Sequence, residues 1–95
     1  MKNVQYTPED LQAYVDHIVK DYNGTGTSEF VITFEEGQKY TRVVATSYGS
    51  RSSHSFLDAQ GNIWKCASWK APAKNFTRGN IITRDFSRIR WTGAL

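Results

Sequence analysis

The chain predicts an α+β fold, one N-terminal amphipathic helix packed on a four- to five-stranded antiparallel sheet, in a single small domain over residues 1–95. Three observations predict it. Residues 8–22 carry apolar side chains at helical spacing behind a helix-start signal. Residues 29–69 switch to period-two segments rich in β-branched and aromatic residues. The connections between those segments are mostly tight turns, which only antiparallel neighbours can use.

The helix opens at Thr7-Pro8-Glu9-Asp10: a hydroxyl N-cap, proline at the first helical position, then two acids facing the positive end of the dipole. Leu11, Tyr14, Val15, Ile18, Val19 and Tyr22 form its apolar stripe, and Asn23-Gly24 supplies a left-handed stop. Thr25 to Ser28 is a linker. Glu29 to Phe34 is a first strand, Glu36-Gly37 turns the chain, and Lys39 to Thr46 returns. Tyr48-Gly49 breaks the pattern. Arg51 to Leu57 is a third strand, the hairpin turn Asp58-Ala59-Gln60-Gly61 places glycine for positive φ, and Ile63 to Trp69 is a fourth. Pro72 ends it, Lys74 to Gly79 is a loop, Ile81-Ile82-Thr83 adds a short edge strand, and Phe86, Ile89 and Trp91 pin an irregular tail.

Hydrophobic content of 39% and aromatic content of 14% suit one packed core. A chain this short gains stability by pairing with copies of itself, so a homo-oligomer is expected. The single cysteine, Cys66, and the lack of a hydrophobic leader after Met1 predict a reducing cytoplasm. No apolar run reaches membrane-spanning length. The net charge of +3 hides an asymmetry: residues 1–58 hold five basic and eight acidic side chains, residues 59–95 seven basic and one acidic. A basic C-terminal half predicts either an anionic partner or attraction between the two halves.

Familiar catalytic signatures are absent. There is no phosphate-binding glycine loop, no dinucleotide-binding glycine triplet and no pair of histidines at metal spacing, so neither cofactor nor metal is expected. His54 among Ser52, Ser53 and Ser55 is the one local candidate for nucleophilic chemistry. Strand alternation puts His54 and Phe56 on one side and Ser53 and Ser55 on the other, which favours a structural histidine and leaves a phosphodiesterase-type role open.

The stretch Asn62 to Asn80 concentrates the chemistry. It holds two tryptophans, three lysines, an arginine and no acid, the basic–aromatic mixture that grips a phosphate-bearing, ring-containing partner. Alternation places Ile63, Lys65, Ala67 and Trp69 on one strand face and Trp64, Cys66 and Ser68 on the other. The lysine-free face is cheaper to bury, which assigns Trp64 and Cys66 to the core and leaves Lys65 and Trp69 outside, continued by Lys70, Lys74 and Arg78. Arg78 with Gly79-Asn80 can offer backbone N–H groups to an anion. The alternative is a set of solvated lysines, with Trp69 and Pro72 packed under the tail.

From Ser50 to Asn80, the residues Ser50-Arg51-Ser52, His54, Phe56, Asp58, Gly61, Ile63, Lys65 and the run Ala67-Ser68-Trp69-Lys70-Ala71-Pro72-Ala73-Lys74 followed by Arg78-Gly79-Asn80 resemble a group of small bacteriophage proteins. The resemblance covers about the middle third of the chain. It implies an accessory protein acting in an infected host's cytoplasm, similar to the sponges that sequester nucleotide signals of the Thoeris and CBASS defences. The expected function is therefore non-enzymatic capture of a nucleotide-like signal by a homo-oligomer. Lys65, Lys70, Lys74 and Arg78 would hold phosphates, Trp69 would stack, and Arg51, His54 and Asn80 would complete the pocket. A nucleic-acid-binding module using the same basic half, a hydrolase of nucleotide signals and an inhibitor of a host enzyme are the alternatives.

Overall fold

A computed structural model describes residues 4–23 and 30–95. Helix α1 spans Pro8–Asn23 and begins at a reciprocal cap. Asp10 N–H donates to Thr7 Oγ1 at 3.2 Å, and Thr7 N–H donates to the Asp10 carboxylate at 2.8 Å. Two helix-end donors are thereby satisfied, with aspartate in the place usually taken by a longer acid. Asp10 also pairs with Arg84, so the first turn is tied to the C-terminal region and its carboxyl is held below the usual range, chiefly by that arginine. The stripe faces inward as its spacing demands, with Tyr14, Ile18 and Tyr22 at 0–4% exposure and Leu11 and Val15 at the margin of the core. The Gly24 stop and the linker 25–28 lie outside the described residues.

The sheet runs β1 (Val31–Glu36), β2 (Thr41–Ser47), β3 (Ser50–Leu57), β4 (Asn62–Trp64) and β5 (Gly79–Asn80), in that spatial order and antiparallel throughout. The turn chemistry explains the meander. Tyr48 at φ 52° and Gly49 at φ 80° make a two-residue hairpin turn, whose twist matches that of the flanking strands. After β3, one Asp58 carboxylate accepts the N–H groups of Gln60 and Asn62, the Asn62 amide and the Trp64 indole N–H, while Gly61 takes φ 81°. Ile32, Val43, Ala45, Leu57 and Ile63 form the helix-facing floor of the core, closed by Ile81 and Ile89.

Period-two alternation fails once, at His54. Val43 pairs with Ser55 but Val44 pairs with Ser53, so His54 is the extra residue of a β-bulge. His54 and Ser55 therefore both lie on the helix side, and every residue before them in β3 changes face. The expected split of His54 with Phe56 against Ser53 with Ser55 is corrected accordingly: Phe56 pairs with Arg42 and Trp64 on the outer face, while His54 packs edge-to-face on Tyr14 of the helix.

The fourth strand is shorter than expected. It leaves the ladder after Trp64, because the next main-chain groups bond among themselves: Ala67 and Ser68 N–H to Ala71 C=O, and Ala73 N–H to Lys65 C=O, around a single Cys66–Pro72 bridge. Lys65 consequently never shares a sheet face with Ile63, and nothing prevents Ile63 from being the core residue, at 0% exposure. Trp64 and Cys66 belong to the outer side, where Cys66 sits 2.7 Å from Ser53 Oγ. The last strand of the sheet is Gly79–Asn80 instead of residues 81–83, because Asn80 Oδ1 accepts the N–H groups of Ile82 and Thr83 and turns the chain.

The tail forms a small second sheet of β6 (Ile89–Arg90) and β7 (Gly93–Ala94). Phe86, Ile89 and Trp91 do pin it to the core. Both histidines help: His17 Nε2–H donates to the Ile89 carbonyl at 3.0 Å and His54 Nε2–H to the Arg90 carbonyl at 2.7 Å. Among the described residues, no helix is long and apolar enough to cross a membrane.

Candidate functional site

The face of the sheet away from α1 carries Glu35, Arg42, Arg51, Phe56 and Trp64. Glu35 on β1 and Arg42 on β2 are directly opposite each other, and Arg42 donates to Glu35 Oε1 at 2.7 Å. Arg51 enters from the far end of β3, beside Thr46. To reach Glu35 Oε2, with which it pairs, its side chain has to cross the Val44 position, and Val44 is fully buried despite lying on this face. One carboxylate thus bridges two guanidinium groups, each oxygen serving one of them. Its pKa is held below the usual carboxylate value, first by Arg42 and then by Arg51.

Trp69 completes the cluster. Its carbonyl accepts the Arg42 Nε–H at 2.8 Å, and its ring centroid lies 4.5 Å from the Arg42 guanidinium carbon and 5.3 Å from that of Arg51. Both are within cation–π range. The residue as a whole stays 37% exposed. Arg42 also lines a cleft of about 330 Å³, together with Glu35, Glu36, Gly37, Gln38, Lys39, Tyr40, Phe56 and Lys70. Lys74 Nζ stands 5.7 Å from the centre of the Tyr40 ring at its edge. The arrangement can present two planar forks and two ammonium groups to phosphate oxygens and two aromatic faces to a ring.

Arg51, Trp69, Lys70 and Lys74, all expected from the sequence, gather here. The other four expected residues do not. Lys65 is exposed on the loop that follows β4, and it no longer shares a strand face with Trp69. Arg78 is 5% exposed and is spent inside the fold: Nε donates to the Leu95 carbonyl at 3.1 Å, Nη1 to Asn75 Oδ1 at 2.9 Å and to the Phe76 carbonyl, with its guanidinium carbon 3.8 Å from the Phe76 ring centre. Asn80 is likewise spent, donating to Gln60 C=O and Asn62 Oδ1 while capping the next turn.

His54 is buried at 3% exposure, with both ring nitrogens engaged. Nε2 faces a carbonyl and must carry the hydrogen, so Nδ1 accepts from Ser55 Oγ–H at 2.9 Å, and Ser55 Oγ in turn accepts from Tyr14 O–H at 2.7 Å. Burial pushes the imidazole down to about 4. This chain of bonds points into the core, away from the outer face.

The charge asymmetry points to the C-terminal half and does not single out Glu35, Arg42, Tyr40 and Phe56. A signal existed. Glu35 and Arg42 lie equally far from the Gly37–Tyr40 turn, and a hairpin places such residues in cross-strand contact. No group of three or more His, Cys, Asp or Glu side chains among the described residues could hold a metal ion.

The chain belongs to a family of unknown function, DUF7717, which matches residues 3–95. No curated protein and no solved structure matches it.

Proposed function

We propose that this DUF7717 protein is a non-enzymatic binding protein that captures a phosphate-bearing, nucleotide-like small molecule on the outer face of its sheet. One observation carries the reading: the Trp69 ring lies against the guanidinium groups of Arg42 and Arg51, and Arg42 also lines the Tyr40–Phe56–Lys70 cleft. A volume of about 330 Å³ is at the small end of ligand pockets and suits a ligand the size of one nucleotide. Arg42, Arg51 and Lys70 would hold phosphate, Trp69 or Tyr40 would stack on the base, and Lys74 would close the rim. The inward bonding of His54 favours capture over hydrolysis. With the resemblance to small phage proteins, the biological reading is sequestration of a defence signal in the host cytoplasm.

Isothermal titration against a panel of linear, cyclic and ADP-ribose-type nucleotides tests this. Saturable binding that Arg42→Ala abolishes supports it, and no heat at micromolar ligand overturns it.

A nucleic-acid-binding role draws on a second aromatic: Phe76 is 47% exposed, with Arg88 5.5 Å from its ring centre. Affinity for single strands of any sequence, falling steeply with salt, would mark that alternative. For self-association, the place is the outer edge of β1. Gly37 N–H donates to Tyr40 C=O, so by alternation the main-chain groups of Ile32 and Phe34 point away from β2. A second β1 would pair there, and light scattering reports whether the protein is a dimer.

A further inference from the structure

This inference rests on the binding reading above and names the chemical class of ligand. Three features of the outer face bear on it. Glu35 places one oxygen on Arg42 and the other on Arg51, the two-point contact that a phosphate would make with the same pair of forks. Arg42 does not depend on Glu35 for its place, because its Nε is held by the Trp69 carbonyl and its guanidinium rests on the Trp69 ring. The Glu35 side chain is 40% exposed, so it can swing into solvent without breaking the core.

We propose that Glu35 is a built-in stand-in for the ligand's phosphate, and that the site selects terminal phosphate monoesters over phosphodiesters. The argument is one of charge and tethering. Any anion must displace a carboxylate that is attached to the same sheet and therefore competes at high effective concentration. A diester carries one negative charge and returns to the two arginines only what Glu35 already supplies. A monoester carries nearly two at neutral pH and a third free oxygen. The additional charge has a receiver in Lys70, which lines the same cleft. Cyclic nucleotides with diester linkages alone are disfavoured on this logic. Ligands ending in a phosphate are favoured, and their affinity rises as pH climbs through about 6, where the second proton leaves.

The experiment is a calorimetric comparison of a nucleoside 5′-monophosphate with its methyl phosphodiester, for the natural protein and Glu35→Gln. The expected result is a preference for the monoester of about tenfold or more, as one further charge contact at partial exposure gives. In Glu35→Gln both ligands should bind tighter, by about fivefold, because the carboxylate that either must displace is gone. Because Glu35 is at the surface, the variant should stay folded with at most a small fall in melting temperature, which serves as the folding control. Equal binding of the two ligands by the natural protein overturns the selectivity. Weaker or unchanged binding in a folded Glu35→Gln overturns the stand-in role and makes Glu35 an organiser of the arginines. Binding of neither ligand, and none of inorganic phosphate, overturns this inference, while the wider nucleotide panel separately decides the binding reading on which it rests.

Discussion

Acid should loosen this fold through one buried imidazole before it acts on most carboxylates. His54 sits at about 4 in the folded chain against 6.5 for an unperturbed imidazole. Each unit is worth about 1.4 kcal/mol, so the difference corresponds to about 3 kcal/mol of stability. The folded pKa is depressed, so between those two values the unfolded chain binds the extra proton and the folded chain does not. The contribution is fully present above about 6.5 and is lost as pH falls toward 4.

The structural cause is directional. Charging the ring adds a hydrogen at Nδ1, where Ser55 Oγ–H already points. Ser55 would have to turn its hydrogen to Tyr14, and the Tyr14 hydroxyl, at 0% exposure, would then need a different acceptor. The groups facing the ring are Tyr14 and His17 from α1, Ser55 from its own strand and the Arg90 carbonyl from the tail. His17 adds repulsion once charged, and none of them offers a compensating anion. Asp10 and Glu35, both depressed, act lower: their contributions disappear only as pH drops below their ordinary values of 3.8 and 4.5.

Urea unfolding followed by tryptophan fluorescence at steps from about pH 7 to about pH 4.5 measures the effect. Stability should fall by about 2–3 kcal/mol across that range with an unchanged urea dependence. In His54→Gln, whose amide can still donate to the Arg90 carbonyl, most of that slope should vanish. If the variant is too unstable to compare, the imidazole shift of His54 can be titrated by NMR in the natural chain. Stability flat from pH 7 to 5, or a His54 midpoint near 6.5, would refute the argument.

Three further outcomes follow from the same geometry. Trp69→Ala should weaken the ligand by about tenfold or more if the ring stacks on a base, a loss that Trp69→Phe should partly restore in the same titration. Arg78→Ala should leave ligand affinity unchanged and lower unfolding free energy by about 1–3 kcal/mol, because the carbonyls of Phe76 and Leu95 lose a buried donor; Lys65→Ala should change neither. Gly79→Ala should destabilise by about 1–3 kcal/mol or prevent folding, since a methyl group there would press into the Asp85 carbonyl oxygen beside Ile63, and thermal unfolding reports it.

The helix and the order of strands were legible because local chemistry and tertiary packing agree there. The Thr7-Pro8-Glu9-Asp10 start caps a real helix, the Tyr14, Ile18 and Tyr22 stripe is buried, and Gly49 and Gly61 turn the chain with the positive φ their neighbours require. Strand ends were less legible, because they depend on where main-chain groups find partners. Residues 63–69 alternate well enough for a strand, yet beyond Trp64 the hydrogen bonds close locally on Ala71 and Lys65. That local closure released Lys65 from the sheet and reversed which face of β4 is buried. Residue type and neighbourhood alone point to Arg78 and Asn80 as ligand contacts. Arg78 reaches the Leu95 carbonyl and Asn80 reaches Gln60 and Asn62, and no local pattern reveals partners so far away in the chain.

The bulge at His54 had the largest consequence for the site, since side chains in a strand have a period of two and one extra residue inverts all that precede it. Counting back from Leu57, which is in the core, unbroken alternation would point Ser55, Ser53 and Arg51 toward α1. A guanidinium in that position would lie under a helix whose inward residues are Tyr14 and Ile18, where an unpaired charge is very costly. With the bulge, Ser53 and Arg51 face outward, Ser53 reaches Cys66, and Arg51 reaches Glu35 and Trp69. The same extra residue supplies the buried imidazole that bonds Ser55 and holds Arg90 of the tail. One irregularity therefore sets both the acid-sensitive network on the helix side and the pairing of two arginines on the other. A change that removed the bulge would have to disturb stability and binding together, whereas one confined to the imidazole, such as His54→Gln, should shift the pH profile and leave the outer cluster in place.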